Sequence, residues 1–277
     1  AARLVFRNAG FPGAAGAEGE VQLTLRGRVL RLARARAKLW GGVLEADGLY
    51  RTESGHVEGK ASLRRVSLSA VPWKALGVPV SLAGTGDASV RVAGTADRLE
   101  GAVSLALPGG IERISSTGGK DPALRFPMSL EAGGSVSGGV DVRVDSFRLL
   151  AGKAESRGDG EGSIAEGTLR LRGSLSLPAG KAADYGVGEP LAWEKVAGEW
   201  EISGPWSRLR GKASLSATAL AIRAFPTLPV LLKIDGVPSE VLHVSADVPA
   251  QRFKATAEGT WTSPFDPSRT ASEWTVA

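Results

Sequence analysis

Gly59-Lys60-Ala61-Ser62-Leu63 returns unchanged as Gly211-Lys212-Ala213-Ser214-Leu215, and nearly so as Gly101-Ala102-Val103-Ser104-Leu105. The two later copies extend further. Gly94-x3-Arg98-Leu99-x-Gly101-x2-Ser104-Leu105 matches Gly204-x3-Arg208-Leu209-x-Gly211-x2-Ser214-Leu215, six identities over residues 91–107 and 201–217 at a constant offset of 110. Each copy reads as a Gly-marked turn followed by a strand in which apolar and polar residues alternate. Successive side chains of a strand point to opposite faces, so the alternation predicts one apolar and one polar face. A chain repeating this phrase builds hairpins, and its function is expected in its surfaces.

The same pattern runs outward in both directions. Val21–Leu25, Ser89–Val92, Val140–Val144, Thr168–Arg172, Val241–Val244 and Arg252–Ala257 all alternate. So does Ala33–Leu39, which sets Arg34, Arg36 and Lys38 on one face. The Gly pairs 41–42, 109–110, 118–119, 133–134 and 138–139 fall between such runs, and 37 Gly in all give turns roughly every 8–12 residues. Helix is scarce. Val71–Gly77, with Ser69 as cap and Pro72 in the first turn, and Lys181–Gly186 predict one or two short helices edging the sheet.

A sheet face that packs must fill a gap of about 10 Å, ordinarily with aromatic, Ile and Leu side chains. Aromatics make up only 6% of this chain, with two Tyr, while the apolar sides of its strands are largely Ala, Val and Leu. Small residues leave room, so the sequence admits two readings: a closed Ala/Val/Leu core, or an apolar groove able to take acyl chains.

Composition narrows the classes. With 43% apolar residues over 277 positions the chain can fold, and no apolar run reaches the roughly 18–20 residues of a membrane-spanning helix. The absence of Cys excludes disulfides and thiolate chemistry. A net charge of +5 favours anionic partners, although the basic residues are spread along the chain as on a solvated face. Both termini read as those of a segment cut from a longer protein.

Several stretches resemble a known family. Ala37-Lys38-Leu39-Trp40-Gly41-Gly42-Val43-Leu44-Glu45-Ala46-Asp47-Gly48 resembles the Leu-aromatic-Gly-Gly-x-Leu-x3-Gly segment of AsmA-like and TamB-like proteins. Gly59–Leu76 is similar to their strand-then-short-helix continuation. Ser81–Gly86 and Leu99–Gly101 are similar to their later Leu-Ser-Gly-x-Gly strand and hairpin. A weaker pass runs from Phe147 to Leu177, with Arg157-Gly158-Asp159 where Trp40-Gly41-Gly42 stood. The resemblance implies long antiparallel β structure with an apolar channel, a periplasmic location and an inner-membrane anchor in the full-length parent. It further implies bridge-like phospholipid transport to the outer membrane, with an outer-membrane barrel protein as a partner.

No catalytic motif appears. His56 and His243 stand alone, and read as strand surface residues. Gly84-x-Gly86 lacks the third Gly of a dinucleotide loop. Positions 54 and 206 are Ser and Trp, so neither Gly-Lys pair completes a phosphate loop, and no Gly-x-Ser-x-Gly elbow exists. Gly158-Asp159-Gly160-Glu161-Gly162 reads as a solvated acidic turn. No enzyme, cofactor or metal is expected. An outer-membrane barrel would need aromatic girdles that scattered Trp and two Tyr do not supply. A β-solenoid or adhesin would need a stricter repeat. Nucleic-acid binding would need aromatics interleaved with the basic residues. Trp193, Trp200 and Trp206 cluster in sequence instead, with Trp200 and Trp206 expected to pack across the Ser203-Gly204 hairpin.

The expectation is therefore an all-β chain, residues 1–277 forming a single elongated domain with a loose repeat over approximately 1–119 and 120–277. Its antiparallel sheet would be curved, a taco-like open groove with an apolar concave face and a basic convex one. The groove residues would be Leu23, Leu25, Leu63, Val90, Val92, Val103, Leu105, Val142, Val144, Leu169, Leu171 and Leu215. Phospholipid or another acyl-chain lipid would lie on them. The main alternative is a scaffold for outer-membrane protein assembly acting through the open sheet edges.

Overall fold

The computed structural model describes residues 2–11, 14–72, 81–95, 97–115, 125–185, 191–206, 208–222, 227–237, 240–249, 254–262 and 271–276. The described residues are almost all strand, and 17 long strands among them form one antiparallel sheet that stays open. By its internal contacts it divides into two compact units, Ala1–Ser116 with Asp121–Phe147, and Arg148–Ala277 with residues 117–120.

The first unit is a meander. Its strands are β1 (Ala2–Phe11), β2 (Ala14–Arg26), β3 (Val29–Leu39), β4 (Gly42–Arg51), β5 (His56–Ser67), β6 (Ser81–Ala83), β7 (Thr85–Gly94), β8 (Arg98–Leu107), β9 (Arg113–Ser115) and β10 (Met128–Ser137). The following strand, β11 (Asp141–Ala151), carries the chain across the division. Antiparallel pairing runs β1–β2–β3–β4–β5–β7–β8–β10, each long strand beside its predecessor. Among the described residues short β6 and β9 pair only with each other.

The second unit repeats the plan with β12 (Ala154–Ser163), β13 (Thr168–Leu177), β14 (Gly180–Lys181), β15 (Leu191–Trp193), β16 (Lys195–Pro205), β17 (Arg210–Ile222), β18 (Leu228–Gly236), β19 (Val241–Pro249), β20 (Lys254–Thr262) and β21 (Ala271–Val276). Pairing runs β12–β13–β16–β17–β18–β19–β20–β21, with β14–β15 attached to the end of β17.

The repeated phrase is a hairpin in both units. Gly94 closes β7 with φ +139° and Gly204 lies near the end of β16 with φ +124°. A Cβ on Gly94 would strike the Arg98 carbonyl, so the position needs glycine for space as well as for φ. Gly236 shows the same geometry before β19, a copy the sequence comparison misses because Glu240-Val241 replaces Arg-Leu.

Of the two expected helices, Lys181–Gly186 holds a single 3-10 turn at Ala182–Tyr185, while Val71–Gly77 lies from Trp73 onward outside the described residues; a 3-10 turn at Leu68–Ala70 precedes it. Ser69 lies within the Leu68–Ala70 turn, whose cap position is held by Ser67 without a side-chain bond. Leu68, Leu107 and Ile111 form a small buried cluster with Leu82 and Met128 against it. Leu107 faces Met128 across β8–β10, so this cluster covers the apolar face at one end of those strands. Gly133-Gly134 and Gly158–Gly162, expected as turns, lie within β10 and β12. Arg252 and Phe253 fall outside the described residues.

Candidate functional site

The register of the first unit assembles its alternating residues into apolar rows. Leu44, Leu63, Ala88, Leu105 and Leu130 stand opposite one another across β4, β5, β7, β8 and β10. The next row is Ala46, Ala61, Val90, Val103 and Ala132, and the one beyond is Gly48, Gly59, Val92, Gly101 and Gly134. β2 and β3 extend the face through Leu23 opposite Leu32 and Leu25 opposite Leu30. A Cβ on Gly134 would meet the Arg143 carbonyl and the Val144 Cα, which sets Val144, and by alternation Val142, on this same face.

In the second unit Leu171, Ile202, Gly211, Gly236 and Leu242 make one row, and Leu175, Gly198, Leu215, Leu232 and Ala246 another. Leu169 stands opposite Gly204 on the same face. Leu23, Leu25, Leu63, Val90, Val92, Val103, Leu105, Val142 and Val144 thus share the apolar face of the first unit, and Leu169, Leu171 and Leu215 that of the second.

Little covers these faces. Leu25 is 63% exposed, Val103 48%, and Val90 and Leu105 36% each, whereas a core residue lies below one-tenth. Among the described residues no side chain is fully buried, and the buried hydrophobics are only Val66, Leu68, Leu107, Ile111, Ala182 and Val244. Fully burying a Val or Leu is worth about 1.5–3 kcal/mol, so each half-exposed one leaves about 1 kcal/mol of hydrophobic free energy to whatever covers it.

Trp200 is the exception to small filling. Its indole lies on Gly173 of the neighbouring strand, where an added Cβ would be 2.9 Å from Cζ2. Nε1–H donates to Ser156 Oγ on β12 at 2.8 Å, and Ser156 Oγ donates to the Ser174 carbonyl at 2.9 Å. Trp200 therefore reaches toward β12 and not across the 203–204 turn as expected. Trp206, at that turn, is 55% exposed, and Trp193 donates to the Pro178 carbonyl from β15.

The opposite face is polar and heavily paired. Arg3 meets Glu20, Lys60 meets Asp47, Arg172 meets Asp159, Arg170 meets Glu201, and Arg210 meets Asp235 across neighbouring strands. The Arg210 hydrogen bond holds the Asp235 carboxyl below the usual carboxylate range, and Arg208 does the same for Glu240. Glu155 is lowered by Arg157 and then Arg148, and Glu20 by Arg3 and then Gln22. The Arg3–Glu20, Lys60–Asp47, Arg172–Asp159, Arg170–Glu201, Arg210–Asp235 and Arg208–Glu240 pairs were hidden in the sequence because their partners lie 13–32 positions apart. The pairing sets cations beside anions along the face and leaves the net charge of +5 unchanged.

Both histidines lie on strands, His56 against Glu58 at 3.0 Å and His243 in register with Asp235. Among the described residues no group of His, Asp or Glu could hold a metal ion, and no helix is long and apolar enough to cross a membrane. No family model, curated protein or solved structure matches this chain.

Proposed function

We propose that this chain is a periplasmic segment of an AsmA/TamB-like protein that seats phospholipid acyl chains on its apolar sheet face, carrying them between inner and outer membranes. The observation behind this reading is the uninterrupted apolar face of the first unit, whose central Val90, Val103 and Leu105 remain exposed. A chain of methylenes is the complement of such a surface, being flexible, non-directional and without polar groups to satisfy. The Leu39–Gly48 resemblance adds the compartment and the anchored parent.

The test is purification of the chain from cells without detergent, native mass spectrometry and lipid extraction. Near-stoichiometric phospholipid supports the reading, and a lipid-free monomer contradicts it.

A second reading is favoured by the open sheet. Among the described residues β21 pairs only with β20, and an open edge offers a row of backbone donors and acceptors for an added strand, such as one from a client outer-membrane barrel protein. Crosslinking from β21 to a client strand would support it.

A further inference from the structure

On the polar face of the first unit, one cavity departs from the pairing that surrounds it. In the second unit Arg208 meets Glu240 through two bonds of 2.8 and 2.9 Å, and Arg210 meets Asp235 through two of 2.9 and 2.8 Å. Guanidinium forks there are satisfied by carboxylates. Beside the β3–β4 turn, a cavity of about 750 Å³ is lined by Arg36, Arg64 and Arg65, by Ser67, whose hydroxyl is 2.8 Å from that of Ser69, by Thr85, and by one acidic residue, Glu45. Glu45 stands 3.7 Å from Arg36 and 3.8 Å from Arg34, beyond hydrogen-bond distance of both. The Arg64 and Arg65 side chains have no carboxylate partner among the described residues. Lys38 and Arg64 stand either side of Val43 in register, adding a fourth cation at the rim.

The backbone explains how the arginines converge. β5 carries a bulge between Leu63 and Val66. The extra residue brings Val66 to 6% exposure and leaves the consecutive Arg64 and Arg65 lining one cavity, where strict alternation would part them. Arg65 has φ +56°, in the left-handed region that Gly or Asn adopts more readily, and its N–H donates to Asp87 Oδ1 at 2.7 Å. A bulge needed only for packing would be easier with glycine; this one presents a guanidinium. Three guanidinium forks, with Glu45 beyond hydrogen-bond distance and Asp87 taken up by the Arg65 backbone N–H, match a group with several anionic oxygens.

We propose that this cavity is a binding site for a phosphoryl group, borne by either a lipid headgroup or a soluble phosphate ester. It lies on the polar face, so it stands whether or not acyl chains occupy the apolar one.

The experiment is titration of the whole chain with inorganic phosphate, followed by amide NMR and calorimetry, alongside flotation with phosphatidylcholine vesicles with and without phosphatidic acid. Phosphate should shift the amides of Arg36, Arg64, Arg65, Ser67 and Thr85. Arg64→Gln with Arg65→Asn, which keeps a residue tolerant of positive φ, should weaken binding about tenfold or more. Arg64→Gln alone, away from the strained residue, should weaken it severalfold if the double variant fails to fold, and Arg172→Gln should leave it unchanged. Flotation on phosphatidic acid that disappears in the Arg64 and Arg65 variants assigns the site to a lipid headgroup. Phosphate binding with no such flotation assigns it to a soluble ester. No local shift at millimolar phosphate, or equal affinity in the variants, overturns the proposal.

Discussion

Replacing Ser156 by alanine removes one hydroxyl and breaks two bonds. Ser156 is 5% exposed, so water does not readily take its place. The indole N–H of Trp200 loses its 2.8 Å acceptor, and the Ser174 carbonyl loses its 2.9 Å donor. Leaving a buried polar group unsatisfied costs about 1–3 kcal/mol, so Ser156→Ala should destabilise the second unit by about 2 kcal/mol. Trp200→Phe removes the donor together with part of the ring over Gly173, and should cost at least about 1 kcal/mol, the share of the hydrogen bond. The shared bond is lost once in the double variant, so the cycle should show a coupling of about 1 kcal/mol. Equilibrium urea unfolding of the four proteins measures it. A neutral Ser156→Ala, or additivity within about 0.3 kcal/mol, would refute the reasoning.

Gly173→Ala would set its Cβ 2.9 Å from the Trp200 ring; it should displace the indole, red-shift tryptophan emission and lower stability. Gly94→Ala meets both φ +139° and the Arg98 carbonyl, and should cost more than about 1 kcal/mol, read as a lowered melting temperature. Leu105→Glu, at a position 36% exposed, should cost under about 2 kcal/mol while abolishing lipid capture; Leu171→Glu should act likewise in the second unit, and a folded variant retaining full capture would count against an acyl-chain face. The carboxyls of Glu20, Glu155, Asp235 and Glu240 titrate lower in the folded chain than in the unfolded one. Their stabilisation is therefore complete above the unfolded carboxylate value of about 4 and is lost as pH falls through the folded values. Urea midpoints should drop across that window, and Arg210→Gln should lower the neutral plateau and flatten the drop; an unchanged slope would refute the assignment.

The faces were legible because alternation survives at the residues that matter. Val90, Val103 and Leu105 needed only a period of two to be set together, and the meander followed from short Gly-marked turns. The bulges were not legible. Ala33 is extra in β3, and Arg65 and Ala219 take positive φ where the chain simply reads on, because a bulge is specified by packing across strands. Helical spacing at Lys181–Gly186 was overruled by length, since so few residues cannot repay nucleation. The ion-pair lattice and the arginine cavity needed the register, which no local pattern carries.

The most direct test uses the alternation itself. A photocrosslinking amino acid is placed at Val103 and Leu105, and separately at Ala102 and Ser104, their immediate neighbours on the other face. Irradiation in cells, followed by mass spectrometry of the purified chain, should give phospholipid adducts at 103 and 105 and none at 102 and 104. Adducts at all four positions, or at none, would contradict an acyl-chain-bearing apolar face.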